Sequence, residues 1–215
     1  RPRKQRDVLI NFPSKNYHVP IPYGLSLIIG PWNYPVQLCL NPLIGCIAAG
    51  NTVLLKPSEW APNVAEVLQR MIAEFFNPAH ISVLTGDETL SAELVELDVD
   101  HIFFTGSTQV GRLIAQSAGS RLIPCTLELG GKSPCIVDQT ADLKITARRI
   151  AWGKFMNAGQ TCVAPAYVLV DERVESELLV RLKDAITEFY GADASTSPDY
   201  PRIVSDKHYN RLVNL

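Results

Sequence analysis

From Gly24 onward, short apolar runs alternate with longer stretches whose apolar positions recur every three to four residues. Leu25 to Ile29 predicts a buried strand, and Val36 to Ala49 a helix after the break at Pro35. Thr52 to Leu55 predicts a second strand. Val64 to Phe76 predicts an amphipathic helix, with Val64, Val67, Leu68, Met71 and Ile72 at helical spacing and Ser58 as a candidate cap. Ile81 to Leu84 predicts a third strand, Ser91 to Leu97 a short helix, His101 to Phe104 a fourth strand and Val110 to Ala118 a further helix. Strands alternating with helices predict an α/β fold with a mainly parallel sheet covered on both faces. Ligands of such sheets bind beyond the carboxyl ends of the strands.

Near Pro124 the rhythm changes. Thr126 to Leu129 and Cys135 to Val137 predict two strands separated by Gly130, Gly131 and a few polar residues. A helix from Leu143 to Met156, a strand from Tyr167 to Val170 and a helix from Val174 to Phe189 follow, the last with Leu178, Leu179, Leu182 and Ile186 at helical spacing. The pattern predicts a polar lead-in over 1–20, a first α/β domain over 21–125, and a second over 126–215 that is only partly present.

Composition narrows the chemistry. Of the 215 residues 47% are hydrophobic and 20% charged, and the net charge is -2. Basic residues cluster only in Arg1, Arg3, Lys4 and Arg6. A nucleic-acid surface calls for a basic stripe over a whole face, so the chain is read as acting on a small molecule, with no nucleic-acid partner. No apolar run reaches the roughly 20 residues that span a bilayer, and the charged, then polar start does not resemble a signal peptide. Cys39, Cys46, Cys125, Cys135 and Cys162 are odd in number and form no C-x-x-C pair. They read as reduced thiols of a cytoplasmic protein, or one on the cytosolic face of a membrane, and argue against a metal site.

The most informative stretch is Phe155-Met156-Asn157-Ala158-Gly159-Gln160-Thr161-Cys162. Taken alone, a cysteine between apolar segments is usually a small core residue. Here polar and turn-forming residues separate a helix pattern from a strand pattern, and such a turn presents a sulfur to a cleft while aiming backbone N–H groups at a substrate. Glu128 ends an apolar run before two glycines; it reads either as a carboxylate salt-bridged at a domain junction or as a general base whose pKa partial burial raises. Asn33, between Pro31 and Pro35, reads as a turn residue or as an amide donor. Lys56 and Glu59 follow the second strand, as a solvated helix-start pair or as ligand contacts. Gly106 to Gly111 is expected to be a loop; Thr108 stands where G-x-G-x-x-G requires glycine. Gly131-Lys132-Ser133 resembles the end of a P-loop but lacks the first glycine and a following helix pattern, and Glu74 to Pro78 reads as a helix end.

Together these blocks resemble the aldehyde dehydrogenase family. Phe-x-Asn-x-Gly-Gln-x-Cys at 155–162 is similar to that family's cysteine signature, and Thr126-Leu127-Glu128-Leu129-Gly130-Gly131-Lys132-Ser133 to its glutamate signature. Pro31-Trp32-Asn33-Tyr34-Pro35, Lys56-Pro57-Ser58-Glu59 and Phe104-Thr105-Gly106-Ser107 match three further blocks in the same order. The similarity is greatest to the class 3, fatty-aldehyde-like branch and runs through nearly all the chain after Pro20.

The resemblance implies a Rossmann-like cofactor domain followed by the first part of an α/β catalytic domain, oxidising aldehydes to carboxylic acids with NAD or NADP. It assigns nucleophile to Cys162, general base to Glu128, and oxyanion donor to the Asn33 amide with the Cys162 backbone N–H. Lys56 and Glu59 would hold the adenosine ribose, and Trp32, Gly106, Ser107, Gly111, Leu129 and Gly130 would line the cofactor. The family's later Glu-x-Phe-Gly-Pro block and its N-terminal helical region are missing. The chain therefore reads as an internal fragment, with apolar surface exposed. A homodimer is implied for the full-length protein, and membrane association only through segments not present. The competing readings are a nucleotide-binding remnant without activity, and a cysteine hydrolase, which would need a histidine base; none of His18, His80, His101 and His208 lies in a catalytic-looking context.

Overall fold

The computed structural model describes residues 2–4 and 13–215; Arg1 and Arg6 of the basic cluster lie outside them. Two short strands missed by the sequence pattern, β1 (Arg3–Lys4) and β2 (Tyr17–His18), pair antiparallel within the lead-in. The rest of the chain forms two compact units, one running to Thr105 and again over Gln109–Glu128, the other comprising Gly106–Thr108 and Leu129–Leu215.

The first unit is built on β3 (Leu25–Ile29), β4 (Thr52–Lys56), β5 (Ile81–Val83), β6 (His101–Thr105) and β7 (Cys125–Glu128). All pair in parallel in the order β5-β4-β3-β6-β7. The helices α1 (Gln37–Ala48), α2 (Pro62–Phe75), α3 (Glu88–Val95) and α4 (Thr108–Ser120) connect them. The chain proceeds outward from β3 to β5 and then returns to the other side of β3, so the order reverses between β3 and β6; in doubly wound sheets that reversal opens the crevice where ligands sit. Ile28, Val53, Leu55 and Val83 form one core with Cys39 and Leu43 of α1 and Leu68 and Ile72 of α2. Leu27 and Ile102, which point to the opposite face by the alternation of strands, are fully buried as well. The sheet is thus covered on both sides.

Several boundaries differ from the sequence pattern for identifiable reasons. Ser58 does not cap α2: its Oγ accepts from the Trp60 N–H at 3.2 Å, and the helix starts on Pro62, whose missing N–H is unneeded in a first turn. The third helix begins before Ser91 because the Asp87 carboxylate accepts from the N–H groups of Thr89 and Leu90. The expected loop from Gly106 to Gly111 is shorter, since α4 begins at Thr108 and Gly111 is a buried helical residue. Residues 126–128 pair with β6, so the division between the units falls after Glu128 rather than after Cys125.

In the second unit, β8 (Ser133–Val137), α5 (Leu143–Phe155) and β9 (Pro165–Val170) make a parallel βαβ unit, followed by α6 (Glu172–Tyr190) and α7 (Asp206–Val213), the last unforeseen from the sequence. Asp171 caps α6, and the Arg173 guanidinium bonded to it at 2.8 and 2.6 Å holds the carboxyl down to about 2. Val137, Ala147, Ile150 and Leu178 form the core, with Cys135, Val168 and Val170 packed against it. The paired residues Ile136 and Leu169 point the other way and are 75% and 54% exposed. The two-stranded sheet is therefore covered by helices on one face and open on the other. Among the described residues, no helix is long and apolar enough to cross a membrane.

Candidate active site

In the first unit the candidate residues gather where parallel strands end. β3 gives way to Gly30-Pro31 and then to Trp32 and Asn33, both half-buried, before α1 begins. The Gly30 N–H donates to the Lys56 carbonyl at 3.0 Å, tying the end of β3 to the end of β4. Lys56 closes β4 with a side chain only 1% exposed, its Nζ 2.5 Å from Oε2 of Glu59, which is 30% exposed. An ammonium this deep requires its countercharge. Lys56 is accordingly not a solvated helix-start residue, and the pair presents one hydrated carboxylate at the strand end. Glu128 ends β7 with its side chain exposed; the partial burial expected of it is not found. Gly111 lies in the first turn of α4.

The second unit holds Gly106, Ser107, Leu129, Gly130 and Cys162. Of the five free cysteines, Cys162 alone is exposed. Burial pushes the Cys39 thiol up to about 12 and raises that of Cys46, which suits both to packing rather than to nucleophilic work.

The backbone leading to Cys162 is unusual. After Phe155 the chain makes a 3-10 turn over Met156–Gly159 in which Asn157, Ala158 and Gly159 all have left-handed φ, at 54°, 53° and 75°. A left-handed alanine costs roughly 1–2 kcal/mol, while asparagine and glycine visit the region more readily. Such strain persists only where surrounding bonds enforce it. Gln160 supplies them: its backbone N–H and its Nε2 both donate to the Asn157 carbonyl at 3.0 Å, and its own carbonyl accepts from Asn157 Nδ2 at 3.4 Å. On the other side, a Cβ placed on Gly131 would lie 2.6 Å from the Cys162 carbonyl oxygen. Only glycine lets the turn between β7 and β8 pass so close beneath Cys162. Ser133 opens a strand, so the P-loop resemblance has no helix to serve.

The sequence pattern missed part of this arrangement. Gln160 also reaches Arg202 and Val204, and no local periodicity signals a bond across more than forty residues. The Gly130-Gly131 pair was a visible signal for the close approach to Cys162. Among the described residues, no three His, Cys, Asp or Glu side chains come together as metal ligands. A groove of about 750 Å³ along β1 and β2, lined by Pro2, Arg3, Tyr17, His18, Val19 and Pro20, includes no candidate residue.

The chain is similar to known proteins over nearly all its length. The chain is 53% identical over 204 residues to the 4,4'-diaponeurosporen-aldehyde dehydrogenase of Staphylococcus aureus, covering 95% of this chain and 44% of that protein. It is 48% identical over 194 residues to the mouse dimeric NADP-preferring aldehyde dehydrogenase, covering 90% of this chain and 43% of that one. The solved substrate-bound structure of Staphylococcus aureus AldH superposes with a TM-score of 0.92 at 50% identity, over 99% of this chain and 46% of that one. The chain thus spans less than half the length of these relatives. The model of the aldehyde dehydrogenase family matches residues 4–215, and the chain belongs to that family.

Proposed function

We propose that this chain carries the chemistry of an enzyme that oxidises aldehydes to carboxylic acids with NAD⁺ or NADP⁺. The Cys162 thiolate adds to the aldehyde carbon, and the carbonyl π pair moves onto oxygen. The Asn33 amide and the Cys162 N–H donate to that oxyanion. The nicotinamide cofactor, when bound at the strand ends, supplies the hydride acceptor, and loss of hydride from the thiohemiacetal carbon leaves a thioester on Cys162. Glu128, open to solvent at the end of β7, takes a proton from water. The water oxygen attacks the thioester carbon, the C–S bond breaks, and the acid departs from a regenerated thiolate.

The residues present suit a dinucleotide. The sheet reverses its order beside β3, and the Lys56–Glu59 pair stands at the carboxyl end of β4, as a ribose-binding pair would. Trp32, Gly106, Ser107, Gly111, Leu129 and Gly130 would complete the cofactor's surroundings. A bare glutamate repels a ribose 2′-phosphate, but Lys56 neutralises Glu59, so the pair admits either cofactor. The mouse relative's NADP preference supports the second of the two, and its dimeric name supports a homodimer. The free thiols favour a reducing, cytoplasmic setting.

The observation that carries this reading is the exposure of Cys162, alone among the cysteines, three residues after a turn of left-handed backbone. Mixing the chain with NAD⁺ and a medium-chain aldehyde should form NADH, and Cys162→Ser should abolish it while cofactor binding survives. Undiminished turnover in that variant would sink the assignment. Glu128→Gln should accumulate an acyl group, seen as added mass on Cys162. A second reading, nucleotide binding without turnover, needs only the reversed sheet order and the Lys56–Glu59 pair at the end of β4. It requires cofactor binding with no NADH formed.

A further inference from the structure

Gln160 ties the turn before Cys162 to a segment far along the chain. Its Nε2 donates to the carbonyls of Asn157, at 3.0 Å, and Arg202, at 3.2 Å, while its Oε1 accepts from the Val204 N–H at 3.0 Å. The far segment is itself fastened. The Arg202 guanidinium donates to the Ser195 carbonyl at 2.6 Å and the Tyr200 carbonyl at 3.2 Å. The Tyr200 ring packs edge-on against Tyr190, at the end of α6, with centroids 5.0 Å apart, and against Phe155, the last residue of α5, at 6.4 Å. Phe155 immediately precedes the left-handed turn, so the bonds close a ring: α5 end, turn, Gln160, Arg202 and Val204, Tyr200, and back to Phe155.

We infer that Gln160 is a positioning residue: by clamping the Asn157–Gly159 turn to the segment 202–204, it fixes the direction of the Cys162 sulfur and N–H toward an incoming carbonyl. Both ends of the bracing lie in the same unit. Gly131 closes in on the Cys162 carbonyl from the β8 side, so rotation of the Cys162 peptide is opposed from two directions. The amide suits this role because it offers two donors to two carbonyls and an acceptor to one N–H; a carboxylate would face both carbonyls with no proton to give. The inference rests on the proposed role of Cys162 as nucleophile.

The test reads thiohemiacetal formation without requiring turnover. In that step thiolate sulfur bonds the carbonyl carbon, and the oxyanion takes a proton from solvent. Iodoacetamide labelling of each cysteine is followed by peptide mass in the intact chain, with and without a medium-chain aldehyde. In the wild type the aldehyde should protect Cys162 and leave Cys135 unaffected. Gln160→Leu should raise the half-protective aldehyde concentration about tenfold or more, with labelling of free Cys162 altered less than threefold and Cys135 unchanged. An unaltered half-protective concentration in that variant overturns the inference while leaving the nucleophile intact. An unprotected wild-type Cys162 overturns the nucleophile and the inference with it.

If Gln160→Leu fails to fold, Gln160→Glu decides. Its carboxyl, facing two carbonyl oxygens, is held toward the protonated form and regains one donor as pH falls. Relative to wild type at each pH, protection in Gln160→Glu should be weak at pH about 8 and recover toward pH about 6. A defect of the same size at both pH values overturns the positioning role.

Discussion

The two units differ in how they are held. In the first, five parallel strands make one sheet whose central strands β3 and β4 are buried on both faces, and even the polar Lys56 sits inside with its countercharge. The candidate residues there hang on the ends of a scaffold that has little freedom. The second has two strands, helices on a single face, and Ile136, Tyr167 and Leu169 open on the other. Its candidate nucleophile follows closely on a turn with unfavourable backbone angles, kept in place by side-chain bonds. One unit fixes its residues through sheet geometry, the other through a small set of polar contacts. A side chain at a strand end is aimed by the sheet itself, whereas one that follows a left-handed turn is aimed only as well as the bonds that hold the turn.

Core truncation should expose that difference most strongly. Leu178→Ala, in the thinner core, should cost roughly 2–5 kcal/mol, as should Leu68→Ala in the first unit. Hydrogen exchange should show Leu178→Ala releasing the β8 and β9 amides while those of β3, β4 and β6 stay protected. Simultaneous release of both sets would mean that the units do not unfold separately. Ile136→Thr, on the open face, should change stability by less than about 0.5 kcal/mol.

Next in size is Asn33→Ala, which removes one proposed oxyanion donor and should lower aldehyde turnover by roughly 10²–10³-fold with the stability of the sheet unaltered. A fall in stability with normal turnover would return Asn33 to the status of a turn residue. Glu59→Gln should follow, at about 1–3 kcal/mol in thermal unfolding, because it strands a buried ammonium. Lys56→Met should cost less, since the carboxylate it leaves behind is partly hydrated. The reverse order would show that the ion pair is not what stabilises the end of β4.

Much of this was legible along the chain. Every long element of the first sheet follows from apolar periodicity, because a strand buried on both faces leaves a continuous apolar run and its helices a regular stripe. The signature blocks carried the family and the candidate residues. What escaped was non-periodic or distant. Gly111 reads as part of a loop by its motif but is helical, because α4 begins three residues earlier. The exposure of Glu128 depends on its place at the end of an edge strand, which its neighbours in sequence do not reveal. The bonds from Gln160 to Arg202 and Val204 depend on where the chain returns after α6, and α7 has too few apolar positions to announce itself.

The smallest effect distinguishes a functional strain from an incidental one. Ala158 and Leu122 are both left-handed non-glycine residues, at φ 53° and 57°. Leu122 ends α4 in the position where glycine usually stands: the Ile123 N–H donates to the Ala118 carbonyl at 2.9 Å, and its own side chain is 91% exposed. Glycine at either site relieves roughly 1–2 kcal/mol of backbone strain and returns about 0.5–1 kcal/mol through the freer unfolded chain, for a net gain on the order of 0.5 kcal/mol. Thermal unfolding should show this small gain for both Leu122→Gly and Ala158→Gly. Aldehyde protection of Cys162 should separate them: unchanged in Leu122→Gly, weakened in Ala158→Gly, because the turn before the sulfur gains alternatives that Gln160 must then hold alone. Equal protection in both variants would mean that the left-handed alanine is only the way this turn closes, and that the bonds of Gln160 suffice to aim the cysteine.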